Sequence, residues 1–209
     1  MTVTVNPLPA VNAGPDQTIC IGDPATLTGT GAGVGGVYAW DNSVNNGIAF
    51  SPAATTTYTV TGTDANLCTN TDQVIVNVNP LDDPSFTYPL GLTYCQTGTN
   101  PTATITGMPG GTFSYTVLSG GPTLNINTAT GAVTLLTSDV GTYAITYNTA
   151  TAPGSLCPQT STLNLTITDN PVADFNYGIY CTNNIDPMPT FVAGGTGGVF
   201  TAAPAGLSI

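Results

Sequence analysis

Alternation of apolar with small polar residues runs through most of the chain. Thr59-Val60-Thr61, Val74-Ile75-Val76-Asn77-Val78, Thr102-Ala103-Thr104-Ile105-Thr106, Tyr143-Ala144-Ile145-Thr146-Tyr147 and Leu163-Asn164-Leu165-Thr166-Ile167 all follow a period of two. That period, carried by β-branched and aromatic residues, predicts half-buried strands with one wet face. Between them, Gly35-Gly36, Asn46-Gly47, Asp64-Ala65-Asn66, Pro109-Gly110-Gly111 and Thr130-Gly131 read as turns. Helical spacing is nearly absent, and short strands so spaced predict an all-β chain of antiparallel β-sandwiches. The regular alternation argues against disorder, despite 25 Gly and 17 Pro.

The pattern also repeats. Phe86-Thr87-Tyr88, Tyr94-Cys95, Pro101, Gly110-Gly111-Thr112-Phe113 and Leu124-Asn125-Ile126 return as Phe175-Asn176-Tyr177, Tyr180-Cys181, Pro187, Gly197-Gly198-Val199-Phe200 and Leu207-Ser208-Ile209. Thr2-Val3-Thr4-Val5-Asn6-Pro7 matches Val74–Pro80, the last strand of a repeat. Self-similarity of this kind predicts a linear array of modules. Residues 1–7 read as the last strand of a preceding repeat, 8–80 as a first full domain and 81–170 as a second. Residues 171–209 read as the incomplete start of a third, too short to close a sandwich alone. The junctions hold Pro7, Pro9, Pro80, Pro84 and Pro171 without a Gly/Ser tract, so short, stiff connections are expected. Modules of this size bury only about 60–65% of their unfolded surface, and covalent staples would help them.

Charge narrows the functional classes. The 209 residues contain no Lys, Arg or His, and 11 acids give a net charge of −11. No Lys/Arg–carboxylate ion pair can form, so folding rests on apolar burial and backbone ladders. Phosphate neutralisation needs cations, which excludes nucleic acid as a partner and disfavours anionic lipid surfaces. Ser-His-Asp, Cys-His, Ser-Lys and Schiff-base chemistries are excluded. Two Asp could form a carboxylate pair, but no cleft is marked for them. The chain is read as non-enzymatic and without cofactor. No apolar run reaches the roughly 20 residues of a membrane helix, so direct membrane insertion is not expected. Low charge, many Thr and Asn, and Cys at matching points of each repeat indicate an extracellular, oxidising setting.

Two segments carry immunoglobulin-like marks. Asp139-Val140-Gly141-Thr142-Tyr143 has the form of the tyrosine corner that opens strand F. Tyr58 holds that place in the first repeat, and Trp40, ending Val37-Tyr38-Ala39-Trp40, fits strand C as a core anchor. The run Ala13–Cys20, Trp40, Tyr58-Thr59-Val60-Thr61, Asp64–Cys68 and Val74-Ile75-Val76 resembles PKD-type Ig-like repeats. The second repeat, with Tyr94-Cys95, Gly110-Gly111-Thr112-Phe113, Leu124-Asn125-Ile126, Thr130-Gly131 and Gly141-Thr142-Tyr143, resembles tandem repeats of large Bacteroidetes surface adhesins of the gliding-motility type. That resemblance implies tandem Ig-like (PKD-like) β-sandwiches in a linear array, export by type 9 secretion and an outer-membrane-associated cell-surface location. The partners it implies are neighbouring repeats of the same chain, surface glycans, or motility and secretion machinery proteins.

Several residues invite sharper readings. Trp40, Tyr38 and Phe50 could make a sugar-stacking platform, against the plainer reading as core. Asp41, Asp64, Asp72, Asp82, Asp83 and Asp186 fall in turns or at strand ends, where Asp serves backbone geometry. Asp82-Asp83 is the best candidate for a hard cation, but no metal site is assigned. The Gly-Gly pairs read as turns, since no helix and no Lys follows them. Asn164-Leu165-Thr166 is a formal glycosylation sequon set within a strand.

The five cysteines are the disulfide candidates. In the implied Ig-like topology, Cys20 and Cys95 lie just before strand B, at the end of the sandwich facing the next domain. Cys68 and Cys157 lie in the F–G connection at the opposite end. A bond within one domain would span some 20 Å, against the about 4.4–6.8 Å that a disulfide allows between Cα atoms. The lead expectation is therefore an inter-domain Cys20–Cys157 staple. Cys68, Cys95 and Cys181 are then left to partners elsewhere in the array. Pairing within repeats, Cys20–Cys68 and Cys95–Cys157, is the competing alternative.

The function expected is that of a structural stalk segment of a long secreted or surface-anchored adhesin. Each module adds about 25–40 Å of reach, from strands of some seven residues at about 3.3 Å each plus loops. The alternative is an accessory, carbohydrate-contacting array in a secreted polysaccharide-degrading enzyme.

Overall fold

A computed structural model describes residues 5–170, together with 175–176 and 190–191. The first repeat forms β1 (Gln17–Cys20), β2 (Ala25–Thr26), β3 (Val37–Trp40), β4 (Ala49–Phe50), β5 (Thr56–Thr63) and β6 (Thr69–Asn79). The second forms β7 (Phe86–Thr87), β8 (Thr93–Cys95), β9 (Thr104–Ile105), β10 (Thr112–Gly120), β11 (Gly141–Asn148) and β12 (Thr160–Thr168). A short pair, β13 (Phe175–Asn176) and β14 (Thr190–Phe191), follows. The described residues carry two single-turn 3₁₀ helices, Leu135–Thr137 and Thr149–Thr151, and no α-helix. No helix among them is long and apolar enough to cross a membrane. The expected strand over residues 1–7 and the third repeat fall largely outside the described residues.

The fold is all-β and Ig-like. Two four-stranded sheets share one order: β1-β6-β5-β3, and β8-β12-β11-β10. In each, three antiparallel strands, β3-β5-β6 and β10-β11-β12, form the C-F-G sheet of an Ig sandwich, and a further strand pairs in parallel with the last one. β1 lies beside β6 with Cys20 opposite Asn79, and β8 beside β12 with Cys95 opposite Thr168. Cys20 and Cys95 are thus the final residues of strands of their own, β1 and β8, and β2 opens at Ala25, shortly after Cys20. The sequence pattern did not announce these two strands, because their parallel pairing is set by a partner strand some 60–70 residues away and leaves no local signature.

The described residues pack as two compact units. The first takes in the chain up to Thr87, with Thr104–Phe113 and Thr146–Ser161. Its main core is built on the antiparallel β5–β6 pair, where Tyr58 faces Val74. Alternation turns Tyr58, Val60, Val74 and Val76 to one side, onto Leu27, Ala25 and Trp40. Phe50 meets Tyr58 edge-on at 5.1 Å between ring centres. Gly62 is required by close approach, since a Cβ there would sit 2.5 Å from a Val11 methyl. The same unit holds an aromatic cluster in which Phe113 lies 5.3 Å from Phe86 and 4.7 Å from Tyr147. The Tyr147 hydroxyl donates to Met108 O at 2.7 Å and accepts from Gly111 N at 2.8 Å. A Cβ on Gly111 would meet Asn148 O at 2.2 Å, so this glycine serves packing as well as the turn.

Among the described residues, the second unit comprises Tyr88–Ala103, Ser114–Ile145 and the stretch that begins at Thr162. Tyr143, Ile145, Leu135, Val133, Leu165 and Ile167 are buried there. The Tyr88 hydroxyl donates to Gly131 O at 2.7 Å, using the predicted Thr130-Gly131 turn as an acceptor. In the first unit, the strand expected over Thr102–Thr106 shortens to β9, whose two residues pair with β7. Pro101, directly before it, offers no N–H to a ladder.

Candidate functional site

The feature with the clearest functional meaning is covalent. Cys20 is bonded to Cys157 across 137 positions of sequence, with Cα atoms 5.6 Å apart, within the range a disulfide accepts. The bond joins the two sequence repeats, and both cysteines belong to the first compact unit. This is the pairing that the topological argument expects, and the first repeat shows why. Cys68 directly precedes β6, whereas Cys20 lies opposite its final residue. Eleven residues of extended strand place the two about 30–35 Å apart, so they cannot pair. Cys68 and Cys95 are thiols, Cys95 being exposed, and Cys181 lies outside the described residues.

Polar contacts fix the loop that presents Cys157, which is 1% exposed. Asp82 N donates to Cys157 O at 3.0 Å. The Asp82 carboxylate accepts from Ser155 Oγ at 2.6 Å and from Thr149 Oγ1 at 2.7 Å through the same oxygen. Thr149 is itself fully buried, and its hydroxyl accepts from Gln159 N at 2.8 Å. Asp82 thus ties the start of the second repeat to its own F–G loop. Asp83 accepts from Ser85 N at 2.9 Å. The sequence marked Asp82-Asp83 as a cation candidate, but these carboxylates hold hydroxyls and backbone. No group of three or more His, Cys, Asp or Glu suited to a metal occurs among the described residues.

These contacts set a pH dependence. The Ser155 hydroxyl, then that of Thr149, holds the Asp82 carboxyl below the usual carboxylate range. Ser85 does the same for Asp83, first through its hydroxyl, and the Ala13 N–H does so for Asp72. A carboxyl whose folded pKa is depressed stabilises the fold above its unfolded value near 3.8, and that contribution is lost as pH falls through the folded pKa. Between pH 7 and about 5, neutralising Asp relieves self-repulsion and breaks no ion pair. We therefore expect a melting temperature that holds or rises from pH 7 to about 5 and falls below about pH 4, with precipitation near the pI. A steep loss between pH 7 and 5 without aggregation would contradict this.

Trp40, Tyr58 and Tyr143 are all buried. Trp40 is buried, and its indole N–H donates to Asn46 Oδ1 at 2.9 Å, an oxygen that also accepts from Gly29 N at 2.7 Å. Tyr38 is half-buried with its hydroxyl accepting from Ala32 N, and Phe50 packs against the core. The three rings therefore form part of the core rather than a sugar platform. Tyr143 is fully buried, and its hydroxyl donates to Asp139 O at 2.8 Å, with the carbonyls of Thr123 and Gly121 at 3.0 and 3.2 Å. Burial, then the nearby Asp139 charge, raises its pKa. Asn164 is exposed in mid-strand on β12. Sequence reasoning missed Thr149, Ser155, Asn46 and Tyr147. Tyr147 carried a signal, being two and four residues beyond the inward-facing Ile145 and Tyr143, and Asn46 carried one only as half of the Asn46-Gly47 turn.

No protein-family model matches the chain, and no curated protein matches it. Among solved structures, an I-band fragment of titin, I67–I69, aligns at 12% identity and a TM-score of 0.41, covering 83% of this chain and 70% of that one. Mouse cadherin-23 EC22–24 aligns at 14% identity and 0.38, covering 82% and 69%. The insect immune protein hemolin aligns at 14% identity and 0.36, covering 81% and 48%. These are Ig-like and cadherin-like chains, and the assignment of this chain to an Ig-like all-β fold rests on its strand order and tyrosine corner.

Proposed function

We propose that this chain is a non-catalytic stalk segment of a long adhesin, secreted or anchored at the outer-membrane surface, and of the gliding-motility type that its PKD-like repeats resemble. The observation that carries the reading is the Cys20–Cys157 bond, which locks one sequence repeat to the next. Such a lock suits a rod under load, and a disulfide suits an oxidising exterior. The absence of cations from the sequence leaves nothing to grip nucleic acid, and a net charge of −11 keeps neighbouring fibres apart. Its partners are then neighbouring repeats, with glycans or motility and secretion machinery engaged by other parts of the protein. The accessory-module reading gains no support from Trp40, Tyr38 and Phe50, whose rings serve the core. In the protein that carries this segment, exchanging residues 8–170 for two unrelated Ig-like domains of similar length should preserve adhesion, whereas deletion should weaken it. The isolated chain should give no signal on a glycan array. Loss of adhesion on exchange, or a glycan signal, would overturn the reading.

A further inference from the structure

The two repeats hold their cysteines on the same backbone frame. Cys20 ends β1 opposite the last residue of β6, and Cys95 ends β8 opposite the last residue of β12. In each case the next residue continues the ladder, Ile21 N donating to Asn79 O and Gln96 N to Thr168 O, both at 2.9 Å. In each case a tight turn follows, with Asp23 N donating to Cys20 O at 3.0 Å and Gly98 N to Cys95 O at 2.8 Å. The other two cysteines share the F–G connection, Cys68 between β5 and β6 and Cys157 between β11 and β12. One of these strand-end cysteines is bonded to one of these loop cysteines, and the remaining strand-end and loop cysteines are thiols.

We propose that Cys95 is a covalent docking site for the F–G-loop cysteine of another repeat of this kind, and that Cys68 is the matching thiol, so that copies of this chain join head to tail through Cys95–Cys68. The inference rests on the equivalence of the two repeats and not on the stalk reading. The bond already present shows that a strand-end cysteine in this frame accepts an F–G cysteine. Cys68 is the F–G cysteine left to supply it, and Cys95 is exposed to receive it. The oxidant is a small disulfide such as glutathione disulfide. The Cys95 thiolate attacks it and releases one glutathione thiolate. The Cys68 thiolate of the second copy then attacks the Cys95 sulfur and releases the other. Two protein thiols lose their protons, one S–S bond forms, and one glutathione disulfide becomes two thiols.

The test uses the full chain with Cys181→Ala, so that no fifth thiol competes. A Cys68→Ala version, keeping Cys95, is mixed with a Cys95→Ala version, keeping Cys68, in glutathione redox buffer. Salt near 0.15 M screens the repulsion between acidic copies to about 8 Å. Non-reducing gels and pepsin peptide maps read the products. We expect the Cys68–Cys95 heterodimer to exceed either homodimer by about tenfold, which is about fivefold beyond random exchange, a preference of about 1 kcal/mol. The chain carrying both thiols should form a ladder of oligomers that collapses on reduction. Serine in place of alanine should give the same ratios, and the Cys20–Cys157 peptide should persist throughout. Failure to dimerise, or a heterodimer only about twice either homodimer as random exchange gives, would overturn the proposal. A Cys68–Cys95 peptide recovered from monomer alone would overturn it as well.

Discussion

Pulled from its two ends, the oxidised chain should extend about 450–490 Å less than the same chain in reducing agent. The difference is the 137-residue separation of Cys20 and Cys157 at about 3.3–3.6 Å per residue. Tension entering through β1 passes at Cys20 directly to Cys157 and on into β12, so every residue from 21 to 156 is bypassed. Once β1 has been pulled from β6, the chain of the core built on β5 and β6 lies off the covalent path of the tension. A Cys157→Ala chain should extend like the reduced one. Equal contour lengths in oxidising and reducing buffers would show that the bond is not formed in solution. In the loop-closure account, removing a bond that spans so many residues lowers stability by about 5 kcal/mol, an effect that thermal melts with and without reductant will also register.

Tyr143 should be the most sensitive single core position of the second repeat. Tyr143→Phe keeps the ring but removes the hydroxyl that donates to Asp139 O within reach of the Thr123 and Gly121 carbonyls. In a fully buried site this should cost about 1–2 kcal/mol. Tyr143→Ala also removes the ring from its place against Tyr115, 6.0 Å away, and should cost about 3–5 kcal/mol. Urea titration should show the denaturation midpoint falling in that order at unchanged slope. If the phenylalanine chain matched the original, the hydroxyl would have no structural role and the corner would be a matter of ring packing alone.

What the sequence made legible follows from how local each signal is. β5, β6, β11 and β12 announce themselves because alternate side chains must enter a core, which imprints the period of two. Trp40 and Tyr143 stand out because few residues fill their sites. β10 does not, since Val117 and Leu118 are adjacent and both exposed, which breaks the alternation on an edge strand. β1 and β8 are too short to carry a period, and their partners are distant in the chain. Asp82 was recognisable as unusual, but its partners Ser155 and Thr149 lie 73 and 67 positions away, and their hydroxyl character carries no address. The disulfide was accessible to reasoning because a strand's length excludes the pairing within the first repeat, whatever its neighbours.

The same bond alters what a protease can achieve. Cys20 and Cys157 close the chain into a covalent ring, and a single cut within that ring leaves one molecule instead of two. Trypsin-like enzymes find no Lys or Arg to cleave at. The apolar side chains most open to other proteases include Val34, Leu67 and Leu90, which are 99%, 82% and 90% exposed, and all three lie inside the ring. A nick at any of them relaxes a loop while both ends remain tethered through sulfur, so the chain keeps its continuity after an injury that would sever an open polypeptide.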